Sequence, residues 1–169
     1  MRPSGSRLSL TLGIGAFVLL LDQITKLLVL SKLIPGQSLP IVKEMVALTL
    51  VFNPGLAFGF LSVLPPGYGW IVVLLSIVAL VVLVVLSLKL LPTGGWPVTV
   101  ALGMIFGGAA GNLIDRYRFS AVVDFIDLSW RGYHWPAFNV ADSGITVGVC
   151  ILALHLLRRE PDHSGAKSS

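Results

Sequence analysis

The sequence predicts an all-α membrane protein, a bundle of four transmembrane helices with a small extracytoplasmic β-sheet lying on the membrane surface. Three observations lead there. Of the 169 residues, 55% are hydrophobic and only 12% charged, about half the charged share of an ordinary soluble domain, and the mean hydropathy is +0.90. Four long apolar runs recur along the chain, each close to the ~20 residues that cross a hydrocarbon core of ~30 Å. Between the first two runs, residues 41–52 form a β-prone stretch broken by Lys43 and Glu44 and set among prolines at 35, 40, 54, 65 and 66, which suits a small surface sheet.

The first span covers residues 8–30. Arg2 and Arg7 precede it, but no Ala-x-Ala pattern follows and the run continues through Asp22 and Lys26, so it reads as a retained helix rather than a cleaved signal. The second, 68–90, carries no charge before Lys89 and is rich in Val, Leu and Ile. A lone strand cannot cross lipid with its backbone unpaired, so β-branched composition does not argue against helix here. The third, 97–117, is crowded with small residues, with Gly103, Gly107 and Gly111 four apart; the fourth, 139–158, repeats that spacing at Gly144 and Gly148. Such spacing lets helix backbones approach closely and is expected to bring helices three and four together. One domain is expected over 1–160, with an extracytoplasmic insert at 31–67. The polar tail 161–169 is expected to be disordered, and no internal repeat is visible.

A pI near 9.6 does not point to nucleic acid, because the basic residues flank apolar runs and form no stripe with interleaved aromatics. Four spans put both termini on one side. Basic residues are tied between the two faces, at six each. Discounting Lys26 and Arg116 as groups held inside the bundle leaves the excess with the termini, which predicts that both are cytoplasmic. The connection 118–138, with Trp130, Tyr133 and Trp135, is expected to be an outer loop with interfacial aromatics. The single cysteine, Cys150, excludes an intrachain disulfide and reads as packing within helix four.

Ionisable groups in membrane segments are expensive and mark function by default. Asp22 and Lys26 lie one turn apart on one helix face and can pair, either as a clamp or in contact with substrate. Asn112, Asp115 and Arg116 follow at helical spacing, and Arg116 could fork onto a carboxylate or meet a lipid phosphate. Asp124 is an acid among Val122, Val123, Phe125 and Ile126, where burial raises a pKa. Asp142 follows Asn139 at the start of the fourth span, where a helix dipole favours an anion. Brought together, two carboxylates cannot both ionise easily and one keeps a proton. The ionised one can then activate water while the protonated one polarises a carbonyl. No His/Cys spacing for zinc and no phosphate loop is present, so neither metal nor cofactor is expected.

These residues fall into blocks: Asp22-Gln-x-x-Lys26, Asn53-x-Gly55-x-Ala57-Phe58, Gly107-Gly108-x-x-Gly-Asn112-x-x-Asp115-Arg116, Val123-Asp124-Phe125 and Phe138-Asn139-x-Ala141-Asp142-Ser143. Together, in this order, they resemble the bacterial lipoprotein signal peptidases (signal peptidase II), aspartyl proteases of the inner membrane. The resemblance covers roughly residues 20–150. It implies a monomeric enzyme that removes the signal peptide from diacylglyceryl-modified prolipoproteins by cutting before the lipidated cysteine. It implies catalysis by Asp124 and Asp142, with Asp22, Lys26, Asn53, Gly55, Gly108, Asn112, Arg116, Asn139 and Ala141 lining or supporting the site. It also implies four helices with cytoplasmic termini and the active site near the extracytoplasmic face. One departure stands out: Asn53-Pro-Gly-Leu-Ala-Phe58 replaces the family's usual Asn-Thr-Gly-Ala-Ala-Phe, which puts loop shape and substrate fit there in question. The rival readings are a small transporter or proton pathway using the same carboxylates, a membrane scaffold built on the glycines of helix three, and an inactive relative of the peptidase.

Overall fold

The computed structural model describes residues 5–55 and 69–158. The elements run α1 (Gly5–Lys32), β1 (Ser38–Val42), β2 (Val46–Asn53), α2 (Gly69–Leu90), α3 (Gly95–Phe119), β3 (Val122–Trp130), β4 (Tyr133–His134) and α4 (Val140–Leu157). All four helices are long and apolar enough to cross a membrane. Ala57 and Phe58 of the second motif, the altered position Leu56 and the tail 161–169 lie outside the described residues.

The four strands form one antiparallel sheet in the order β1-β2-β3-β4. The sheet therefore draws on both of the longer connections, the one between α1 and α2 and the one between α3 and α4. The stretch expected to be a loop, 118–138, supplies β3 and the short β4, with Arg131 and Gly132 taking positive φ at the turn between them. Residues 122–125 are buried on both faces, because this end of β3 is covered by helix ends as well as paired with β2. Val29 of α1, Leu33 just past its end, Leu50 of β2, and Val123 and Phe125 of β3 form the apolar core that seats the sheet on the bundle.

α3 is the central helix, packed against both α1 and α4. Helices α3 and α4 pack together as the spacing predicts, with Gly144 and Gly148 of α4 facing α3, but Gly103 and Gly107 of α3 do not make that contact. A Cβ at Gly103 would meet Thr11 O at 2.8 Å, and one at Gly107 would run into Gly15 O, so that stripe faces α1. The α3–α4 contact uses a neighbouring stripe instead: a Cβ at Gly108 would overlap the Ala141 carbonyl, and one at Gly148 would lie 2.7 Å from Ala101 O. Gly108→Ala is accordingly expected to destabilise the fold by about 1–3 kcal/mol through overpacking, read as a lowered thermal midpoint in detergent. Cys150 is exposed on α4 rather than packed inside the bundle. At the opposite end from the sheet, Arg7 Nη1 donates to the carbonyls of Leu91 and Pro92, tying the start of α1 to the turn after α2.

Candidate active site

The site forms where α1, α3 and α4 meet the sheet. Two local devices set its geometry. α3 ends at Ser120, whose left-handed conformation (φ 55°) lets its N–H cap the Arg116 carbonyl. The chain then turns into β3, and Val123 N–H donates to Asp115 Oδ2 at 3.1 Å, fixing Asp124 one residue on. α4 begins with a capping box: Asn139 Oδ1 accepts from Asp142 N–H at 2.8 Å, and Asp142 Oδ2 accepts from Asn139 N–H at 3.4 Å. Reciprocal bonds of this kind satisfy two donors that a helix start otherwise leaves open.

Asp124 and Asp142 are joined through Asn139. While its oxygen holds the Asp142 N–H, its amide nitrogen donates to Asp124 Oδ1 at 2.7 Å. Asn53 Nδ2 donates to the other Asp124 oxygen at 3.0 Å, and Asn112 Nδ2 donates to Asp142 Oδ1 at 2.8 Å. Each carboxylate oxygen thus has one N–H aimed at it. Asp124 is 2% exposed. Burial, and then the nearby charge of Asp142, push its pKa up to about 7, against the opposing hydrogen bonds from Asn53 and Asn139 and the charge of Lys26. A carboxyl that titrates near neutrality beside a second carboxyl is the condition for acid–base work by a pair.

Behind the pair lies a cluster with no exposure to speak of. Lys26 Nζ sits 2.8 Å from Asp22 Oδ2 and 2.7 Å from Asp115 Oδ2, and it donates to Asn112 Oδ1 at 3.1 Å. Asp22 Oδ1 accepts from Ala141 N–H at 2.9 Å, which docks the start of α4 onto α1. So the Asp22–Lys26 pair acts as a clamp, and it extends to α3 through Asp115.

Arg116 does not fork onto a carboxylate. Its Nη2 donates to the Gly55 carbonyl at 2.9 Å and its Nη1 to the Asn112 carbonyl at 3.2 Å, so it holds the segment after β2 against α3. Gly55 N–H donates to Asn53 Oδ1 at 3.0 Å, a turn in which Asn53 closes over the residue between them. That residue is Pro54, whose ring is exposed and whose missing N–H is not needed in this turn. Its fixed φ suits the central position, so the departure at Pro54 leaves Asn53 aimed at Asp124.

All eleven residues nominated from the sequence therefore lie in or against this site. Gln23 was not among them, yet its amide donates to Asp22 Oδ2, Asp115 Oδ1 and the Gly111 carbonyl at 3.1–3.3 Å. Its place inside the Asp22-Gln-x-x-Lys26 block was the available signal.

The family model for signal peptidase (SPase) II matches residues 14–158. The chain belongs to the signal peptidase II family. Relatives named lipoprotein signal peptidase include one from Geobacter sulfurreducens, 44% identical over 142 residues, which cover 84% of this chain and 88% of the relative. Another, from Ralstonia nicotianae, is 43% identical over 88% of this chain and 84% of its own. A third, from Bacillus velezensis, is 38% identical over 85% and 91% respectively. The fold is similar to two bacterial membrane enzyme structures determined by the in meso method. One has a TM-score of 0.75 at 28% identity, covering 100% of this chain and 99% of the other. The second has a TM-score of 0.73 at 30% identity over 95% and 99%.

Proposed function

We propose that this chain is an aspartic endopeptidase that removes the signal peptide from diacylglyceryl-modified prolipoproteins, cutting before the lipidated cysteine with Asp124 and Asp142. The observation that carries the reading is the linkage of the two carboxyls through Asn139, in a chain whose family is established. In the active state one carboxyl is ionised and takes a proton from water. The other is protonated and donates to the scissile carbonyl, and the proton is returned to the leaving amine as the tetrahedral intermediate collapses. With its pKa near 7, Asp124 is suited to hold the shared proton at neutral pH, though the pair titrates as a unit.

Location follows from the same residues. Asp22, Asp115, Asp124 and Asp142 gather at the sheet end of the bundle, and a proton path across the membrane would need acids along its depth. With both termini in the cytoplasm of a bacterial inner membrane, this end faces outward, at the level where a lipid-anchored cysteine enters the headgroups. Lateral entry of the signal helix would leave the acyl chains in lipid, and a single copy of the chain would suffice.

The test is cleavage of a diacylglyceryl-modified prolipoprotein by purified protein, with the products identified by mass. Release of the signal peptide, with the lipidated cysteine as the new N-terminus, is expected, together with loss of cleavage when the substrate lacks lipid. A cut elsewhere, or equal cutting of unlipidated substrate, would overturn the reading.

A further inference from the structure

The Lys26 cluster does more than join helices. We propose that Lys26 is a positioning residue for the aspartate pair: by holding the Asn112 amide oxygen, it obliges Asn112 to present its NH₂ to Asp142. This deepens the function proposed above by assigning a device within the same site. A lysine ammonium has three donors and no acceptor, so whichever end of the Asn112 amide faces it must be the oxygen. Its other two donors are taken by Asp22 and Asp115 at 2.8 and 2.7 Å, and the side chain is 2% exposed. The ammonium has no freedom to turn elsewhere. The Asn112 oxygen also accepts from Asn139 Nδ2 at 3.2 Å, the nitrogen that reaches Asp124 at 2.7 Å. The pinned oxygen therefore orders the Asn112 N–H toward Asp142 and meets the Asn139 amide that serves Asp124.

The other two asparagines are held the same way. Gly55 N–H pins the Asn53 oxygen and Asp142 N–H pins the Asn139 oxygen. Those pins are backbone groups, whereas the Asn112 oxygen depends on side chains, the one charged donor being Lys26, 86 positions away. Without the ammonium, the Asn112 oxygen keeps only the 3.2 Å bond from Asn139 Nδ2, and the amide is expected to turn over more readily, setting its oxygen against the Asp142 carboxylate, acceptor to acceptor. Both orientations fill the same volume, so packing does not choose between them.

The direct test reads the amide itself. Protein labelled with ¹⁵N in asparagine is placed in detergent micelles, and the Asn112 NH₂ pair is assigned by its loss in Asn112→Leu. In the wild-type background, Asp142→Asn is expected to shift that pair, because its acceptor has lost its charge. Lys26→Met combined with Asp115→Asn replaces two anions and one cation by one anion, so the cluster's net charge is unchanged. In that background the Asn112 pair is expected to lose its response to Asp142→Asn, while Asp115→Asn alone keeps it. An undiminished response without Lys26 would overturn the proposal. Should that double variant not fold, Lys26→Met with Asp22→Asn gives the same reading. Cleavage supplies a second readout. The double variant is expected to lose about 10²-fold in kcat with KM within about threefold. Added to Asn112→Leu, it is expected to cost less than about threefold more, because contacts in one chain of bonds are not additive. Losses that multiply would show Lys26 acting independently of Asn112. Wild-type cleavage tests the function, and the amide resonance tests the positioning, so either can fail alone.

Discussion

Asp124→Asn and Asp142→Asn are each expected to lower cleavage by at least about 10³-fold, since groups that act as one catalytic unit fail together when either is removed. Asparagine has nearly the shape of aspartate but can neither take nor release a proton in this range, so a pair reduced to one titrating member loses its base or its acid. The fold is expected to survive. At Asp124 the incoming residues are the Asn53 and Asn139 amides, and an asparagine still accepts one of these bonds. The loss of the other is worth about 1–3 kcal/mol. Against it, a carboxyl whose folded pKa lies near 7 disfavours the folded state as pH rises above its unfolded value of about 4, because the unfolded chain then releases the proton more readily. Removing that carboxyl relieves this effect at neutral pH. A thermal midpoint close to wild type, with cleavage gone, separates chemistry from folding. Substantial residual cleavage by either variant would contradict the pair.

The largest effect on stability is expected at Lys26. Lys26→Met leaves Asp22 and Asp115, 0% and 1% exposed, without their cation, and breaking a buried pair in this way costs about 3–5 kcal/mol. The consequence is not local. Asp22 holds Ala141 at the start of α4, and Asp115 holds Val123 at the start of β3, so both aspartates of the pair lose their supports together. A greatly reduced yield of folded protein and a lowered thermal midpoint are expected, with most of the loss recovered on adding Asp115→Asn. A single variant as stable as wild type would show that the cluster does not hold these elements.

The four helices were legible because hydrophobic run length is set by membrane thickness and needs no knowledge of partners. Half of the sheet was legible for a similar reason, since residues 41–52 are β-prone and bounded by turn formers. β3 was not. Its first four residues are buried on both faces, which erases the alternation that marks a half-exposed strand, and Asp124 and Asp127 make it look like a loop. The glycine spacing announced close helix packing but not which helix each stripe faces; a shift of one residue, from Gly107 to Gly108, moves the contact from α1 to α4. At the site, Asp124 stood out from sequence as an acid in apolar surroundings and Asp142 as an acid at a helix start, and the family motifs paired them. The direction of each amide could not be read there, because the Asn112 oxygen meets Lys26, 86 positions away in sequence.

The measurement that bears most directly on the shared proton is the pH dependence of kcat for the wild-type enzyme on a lipidated prolipoprotein. Activity requires one carboxyl ionised and the other protonated. It is therefore expected to fall on the acid side, as the second carboxyl also takes a proton, and to fall again above about pH 7, as Asp124 loses its own. A bell with its basic limb near neutrality is the expected result. A rate that rises through pH 7 and stays level to pH 9 would mean that no protonated carboxyl takes part, and the aspartate pair would be the wrong mechanism for this site.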